Sequence, residues 1–205
     1  TYACTPKGRK LYDQCLAAAE AERDQDPGLV KRDYAAYEQA YAKHFSPIPK
    51  TLGELIDAEL VYAKFLPTSK GLSAKGSIAT ANLRELIAQG LVAFDGLRYE
   101  DFLPVSAAGI FASNLNQYGT AFTAKTRKTY VQADLEAIMG KPIIDADRVY
   151  RGVQAASIVD TFTKLGVIGK VAPGELETLR ADAAYVESLE RGASATSAAR
   201  VPAGV

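Results

Sequence analysis

Histidine occurs once in the 205-residue sequence, at His44, and cysteine twice, at Cys4 and Cys15. One histidine and no close cysteine pair exclude a self-contained zinc site, and equally a two-histidine, one-carboxylate iron site, from this sequence by itself. Two cysteines do not make a disulfide framework, and Cys15 falls among apolar neighbours at helical spacing. A reducing, intracellular setting is therefore expected, cytoplasmic or, in a eukaryote, organellar. Surplus charge is missing too: 24 basic side chains balance 24 acidic ones, which argues against a strongly electropositive nucleic-acid binder. No apolar run approaches the roughly 20 residues that cross a bilayer, so no membrane partner is expected. The opening "TYACTPKGRK" lacks the apolar core of a signal peptide. The sequence starts at Thr1 rather than Met, which fits a processed form or a fragment.

What is present reads as an alternation of helices with a few strands. In "YACTPKGRKLYDQCLAAAEAERD" a strand end meets a helix, with Thr5 as N-cap and Pro6 at the first helical position. Leu11, Cys15 and Ala19, with Tyr12 and Leu16, mark its buried stripe. Asp26-Pro27 opens a second helix, on which Val30, Tyr34, Tyr37, Tyr41 and Phe45 recur at helical spacing and are expected to face the core. The prolines of "SPIPK" end it. Thr51 and Glu54 form a capping-box signature. "ELVYAKFLPT" alternates as a strand and "SKGLSAKG" reads as a polar loop. "ATANLRELIAQG" is a short helix with Leu83, Leu86 and Ile87 on one face and Gly90 as its stop. "LVAFDGLRYEDFL" reads as two strands around an Asp95-Gly96 turn.

Further along, "AAGIFASNL", "TYVQADLEAIMG" and "ADRVYRGVQAASIVDTF" are helical. Asp145 caps the last of these, and Val149, Val153 and Ala156 form its apolar stripe. "APGELETLRADAAYVESLERG" supplies a final helix. Residues 1–190 are expected to form one domain portion, and 191–205 a small, polar, disordered tail. The fold class is helix-rich α+β with few strands, too few to close a sheet without partners.

Candidate sites are sparse. In "RYEDFLPVSAAGIF", Pro104 favours an extended residue before it. Ser106 is then placed to cap the following helix, whose free amides suit a carboxylate or phosphate. A capping role for Ser106 and a ligand-binding one both fit these residues. His44 ends the tyrosine-rich helix, a position that suits helix capping better than metal ligation. Asp95, Glu100, Asp101, Asp145 and Asp147 sit where turns and caps want carboxylates. Lys125 to Lys128, "KTRK", read as a solvated basic face. Nothing has the spacing of a Ser-His-Asp or Cys-His system, so no catalytic residue and no metal ligand is assigned.

"YEDFLPVSAAGIF", together with "MGKPIIDADRVYRGVQAASI", "TPKGRKLYD" and "LVYAKFLPTSKG" in the same order, resembles the C-terminal portion of the 2-oxoadipate dioxygenase/decarboxylases, or hydroxyglutarate synthases. The likeness runs from Tyr2 to about Leu165, and "FLPVSAAGIF" is its most specific part. It implies a fold related to the vicinal-oxygen-chelate metalloenzymes. It also implies an Fe(II) enzyme that converts a small dicarboxylic 2-oxo acid, 2-oxoadipate, and O2 to 2-hydroxyglutarate and CO2 in lysine catabolism. The iron would be held mainly by residues upstream of this chain, in another part of the same protein. Val105 and Ser106 match the family positions that contact the substrate's carboxylate. Two other functions fit the residues: a non-catalytic helical module that binds a partner, and a glyoxalase-type metal-dependent isomerase or lyase.

Overall fold

In the computed structural model, residues 2–99, 132–140 and 143–198 are described. The chain divides into two compact units, one made of Thr1–Tyr99 and Asp147–Val205, the other of Glu100–Ala146.

The first unit begins with a short extended segment and the helix α1, Pro6–Gln25. Thr5 starts that helix as expected: its Oγ1 accepts the Gly8 N–H at 3.0 Å, and Pro6 occupies the first turn, where a missing N–H costs nothing. Next come α2, Leu29–Arg32, and α3, Tyr34–Lys43. The single helix expected here is broken at Asp33, whose backbone is extended (φ −150°, ψ 90°) and whose carboxylate accepts the Ala36 N–H as the cap of α3. A short aspartate side chain competes well with helical backbone, and here it restarts the helix in a new direction.

The tyrosines of α3 do not face the core. No residue of α3 is buried, and Tyr34 is 63% exposed. Tyr34, Tyr37, Tyr41 and Phe45 instead form a ladder of tilted rings 5.5–6.1 Å apart, joined at its end to Tyr12 of α1. Partial burial and the neighbouring Tyr37 ring hold the Tyr41 hydroxyl above its ordinary pKa.

Helix α4, Leu52–Asp57, carries the capping box read from the sequence. Thr51 Oγ1 takes the Glu54 N–H, while the Glu54 carboxylate takes the Thr51 N–H and hydroxyl, which keeps that carboxyl below its usual pKa. Strand β1, Ala63–Pro67, pairs antiparallel with β2, Val92–Gly96, in the register Phe65 to Phe94. Between them lie α5, Ser69–Ser73, and α6, Leu83–Ala88. The first of these occupies the stretch expected to be a loop, because Thr68 caps it and Gly71 packs its backbone against Leu91; a Cβ there would lie 2.2 Å from the Leu91 carbonyl oxygen. Gly90 ends the α6 turn at φ +70°, as its position suggested.

No hairpin forms at Asp95-Gly96. Both residues lie inside β2, and Gly96 does not take the positive φ that a two-residue hairpin turn needs. Its glycine answers a distant contact: a Cβ would fall 2.4 Å from the Tyr2 ring.

The second crossing into this unit is α8, Ala146–Leu165, followed by a 3-10 turn, Ile168–Lys170, and α9, Pro173–Ala198. The face of α8 that turns inward is not the Val149, Val153, Ala156 stripe, all of which are only half-buried. It is the face of Tyr150, Ser157, Ile158, Thr161, Phe162 and Leu165. The reason is the sheet edge. Gln154 accepts the Ala63 N–H at 2.9 Å, Ser157 Oγ the Phe65 N–H at 3.0 Å, and Thr161 Oγ1 donates to the Phe65 carbonyl at 3.0 Å. One polar row on the helix thus closes the outer edge of β1, whose backbone groups could not be left dry. Around it lies the core: Ala63, Phe65, Ile78, Leu86, Leu91, Val92, Ile158, Phe162, Leu165 and Val167. Helix α9 runs on to Ala198, into the stretch from residue 191 that composition suggested as a tail.

In the second unit the described residues include α7, Gln132–Met139, stopped by Gly140 at φ +64°. Ile143 N–H returns to Glu136 Oε1 at 2.9 Å. Among the described residues no helix is long and apolar enough to cross a membrane.

Candidate functional site

Where the chain leaves the first unit, it does so from β2 through Leu97, Arg98 and Tyr99; it re-enters at Asp147. Within this unit Tyr62 contacts both Leu97 and Asp147. The extended segment at the N-terminus wedges between the strands there: Ala3 N–H donates to Leu97 O at 2.8 Å, and Tyr62 N–H donates to Ala3 O at 2.9 Å. Leu97 N–H in turn donates to Tyr62 O at 2.9 Å, closing a three-strand junction. The Tyr62 ring, 5% exposed, stacks on Tyr150 of α8 with centroids 6.0 Å apart. Its hydroxyl donates to Asp147 Oδ1 in the first turn of α8.

Asp147 is oriented further by Arg151, with Nη1 3.6 Å from Oδ2, and the Arg151 Nε lies 3.2 Å from Asp182 of α9. Beside it the Arg148 guanidinium sits 4.1 Å above the Tyr185 ring, a cation–π contact. This corner is a chain of polar contacts that joins β1, α8 and α9. Sequence reasoning missed Tyr62, Gln154, Ser157 and Thr161. The last three had a readable signal, a polar row at helical spacing on a face otherwise apolar.

The residues singled out from the sequence are dispersed. Val105 and Ser106 lie outside the described residues, as do Glu100, Asp101 and Lys125 to Lys128. Asp95 faces solvent on β2, in register with Lys64. His44 is the C-cap residue of α3, and its Nε2 pairs with Glu22 of α1. Asp145 directly precedes α8, and Asp147 belongs to the Tyr62 corner.

Among the described residues no three His, Cys, Asp or Glu side chains converge. They therefore offer no donor set that fits the implied iron. A cleft of about 640 Å³ lies elsewhere in the first unit, floored by Ile56, Phe65, Ile87 and Val171. Its cations already hold backbone: Arg84 donates to Asp57 O at 2.7 Å and Lys170 to Ile78 O at 2.5 Å.

These elements define a helix-rich α+β fold with a small antiparallel sheet sealed on one edge by a helix. A family profile for 2-oxoadipate dioxygenase/decarboxylase matches residues 1–114, more than half of the sequence. The chain belongs to that family. It is 36% identical over 158 residues to the 2-oxoadipate dioxygenase/decarboxylase of Pseudomonas putida, covering 76% of this chain and 33% of that protein. To the Escherichia coli protein of the same name it is 29% identical over 156 residues, covering 76% and 32%. The crystal structure of hydroxyglutarate synthase from Pseudomonas putida in complex with 2-oxoadipate superposes with a TM-score of 0.59 at 31% identity, over 80% of this chain and 34% of that one. The chain thus spans about a third of the length of the curated relatives it matches.

Proposed function

We propose that this chain supplies the substrate-carboxylate segment of an Fe(II)-dependent 2-oxoadipate dioxygenase/decarboxylase. The enzyme would turn 2-oxoadipate and O2 into 2-hydroxyglutarate and CO2, in lysine catabolism. The observation that carries the reading is the likeness to the Pseudomonas putida enzyme, 36% identical across three quarters of this chain, with a hydroxyglutarate synthase structure that holds 2-oxoadipate. Iron would supply the oxygen chemistry from ligands upstream of Thr1, in a fold related to the vicinal-oxygen-chelate enzymes, and this chain alone would be inactive.

In this reading Val105 and Ser106 meet the substrate's distal carboxylate: Ser106 offers a hydroxyl, and Ala107, Ala108 and Gly109 leave room for close approach to backbone amides. A hydrogen bond to a charged group contributes about 1.5–3 kcal/mol. Ser106→Ala, made in the longer iron-loaded protein, is expected to lower kcat/KM for 2-oxoadipate roughly ten- to a hundredfold. A 2-oxo acid without the distal carboxylate should lose much less, because the deleted hydroxyl had nothing to hold there. Equal losses on both substrates would make Ser106 a helix cap and overturn the assignment.

A further inference from the structure

We propose that the cleft of about 640 Å³ in the first unit binds a small carboxylate with an apolar body. The proposal draws on neither Val105 nor Ser106. A volume of this size is ordinary for small-molecule sites, which combine apolar walls with a few converging polar groups. Of the floor, Phe65 and Val171 belong to the hydrophobic core, and Ile56 and Ile87 pack against it. Such a floor suits a hydrocarbon chain.

The head group follows from the donors in the wall. Gln154 lines the cleft and is held at one end: its Oε1 accepts the Ala63 N–H at 2.9 Å. That bond fixes which end of the amide is oxygen. The Nε2 end meets no acceptor among the described residues. Since no buried side-chain nitrogen among them lacks a partner, this end is open to solvent. Thr80 Oγ1 accepts the Asn82 N–H at 3.0 Å and gives its own O–H to no described residue. Arg84 and Lys170 each spend one donor on backbone, on Asp57 O and Ile78 O, and each side chain carries more. Neither cation pairs with a carboxylate among the described residues.

Acidic groups line the cleft as well, but they sit at its mouth. Asp57, Glu59 and Glu175 are exposed, whereas Gln154 and Thr80 are half-buried. Glu59 faces Lys7 at 3.9 Å. The wall beneath the mouth therefore donates, and a donating wall over an apolar floor calls for an acceptor head on an apolar body. Sealing the edge of β1 explains why Gln154 offers its oxygen to Ala63. It does not explain an open Nε2 in the same cleft as two cations without counter-ions.

The test is calorimetric titration of hexanoate into the longer, iron-loaded protein, with 1-hexanol and hexylamine alongside. Hexanoate should bind with a Kd on the order of 0.1–1 mM, and the alcohol and the amine at least about tenfold more weakly. Gln154→Glu keeps an oxygen for the Ala63 N–H and turns the donor into a second acceptor, so it should weaken hexanoate about tenfold or more. Arg84→Gln and Lys170→Gln, at exposed positions where the fold should be kept, should each weaken it about two- to fivefold. Hexanoate that binds alike to the unaltered protein, Gln154→Glu and Arg84→Gln sits elsewhere, and the proposal is overturned. Hexylamine bound more tightly than hexanoate would overturn it too, because the acidic mouth would then set the ligand's charge. So would the absence of hexanoate binding below about 10 mM, which would mean that the cleft is closed to small molecules.

Discussion

Helices α3 and α8 invert each other. The first has the aromatic row at helical spacing, and it stays partly exposed; the second hides a polar row, Gln154, Ser157 and Thr161, against a strand. A helical stripe marks a face that meets something, and the identity of what it meets decides whether apolar or polar atoms belong there. Next to α8 stands a sheet edge, with N–H and C=O groups pointing out of the ladder, and hydroxyls and an amide satisfy them. Next to α3 stand the short α2 and α1, the latter a thin support whose buried residues are Gly8, Cys15 and Ala19. The tyrosines therefore stack on one another and stay half in water.

The largest expected effect sharpens the α8 side of this contrast. Phe162 is 1% exposed, in the core that also contains Ala63 and Phe65 of β1. Phe162→Ala removes that ring and leaves a cavity, which should destabilise the protein by about 3–5 kcal/mol in urea unfolding. A cost under about 1 kcal/mol would mean that α8 is held by its polar row alone.

An intermediate effect belongs to Ser157, which accepts the buried Phe65 N–H at 3.0 Å and donates to Gln154 O at 2.7 Å. Ser157→Ala strands that amide against a wall of side chains. The expected loss is about 1–3 kcal/mol, the usual cost of a buried donor without a partner. Ser157→Thr retains the hydroxyl and should recover part of it. Loss of the same size in both variants would assign the effect to packing at the helix–strand contact.

The parts of this architecture that were legible are those written locally. Thr5 with Pro6, and Thr51 with Glu54, announce helix starts because the capping atoms lie within three residues of the amides they serve. Leu83, Leu86 and Ile87 announce a face because their neighbours on the helix are polar. The misreadings have distant causes. Gly96 looked like a turn residue, and its smallness answers the Tyr2 ring, far away in sequence. The stripe on α8 was placed one residue out because only the edge of β1 explains why serine and threonine turn inward. Tyr62 gave no signal at all: it sits in a stretch that reads as an ordinary alternating strand, and Ala3, Leu97 and Asp147, which it contacts, are brought together by the fold. Of the candidate site, the expectation for Val105 and Ser106 comes from likeness to a family, whereas the roles of Gln154, Ser157 and Thr161 follow from the strand edge they meet.

The smallest expected effect tests the α3 side. Tyr34 begins the aromatic ladder, 63% exposed and touching Tyr37 at 6.1 Å between ring centroids. Aromatic pairs contribute about 0.5–1.5 kcal/mol when buried, but an end ring in water gains little that water does not also give it. Tyr34→Ala should therefore change stability by no more than about 0.5 kcal/mol, as surface substitutions usually do. The cap at Asp33 makes the measurement informative, because it accepts the Ala36 N–H and so starts α3 independently of the ring. A loss near that of Ser157→Ala would show that the ladder, although exposed, is what holds α3 to α1, and the contrast between the two helices would then be one of exposure and not of energy.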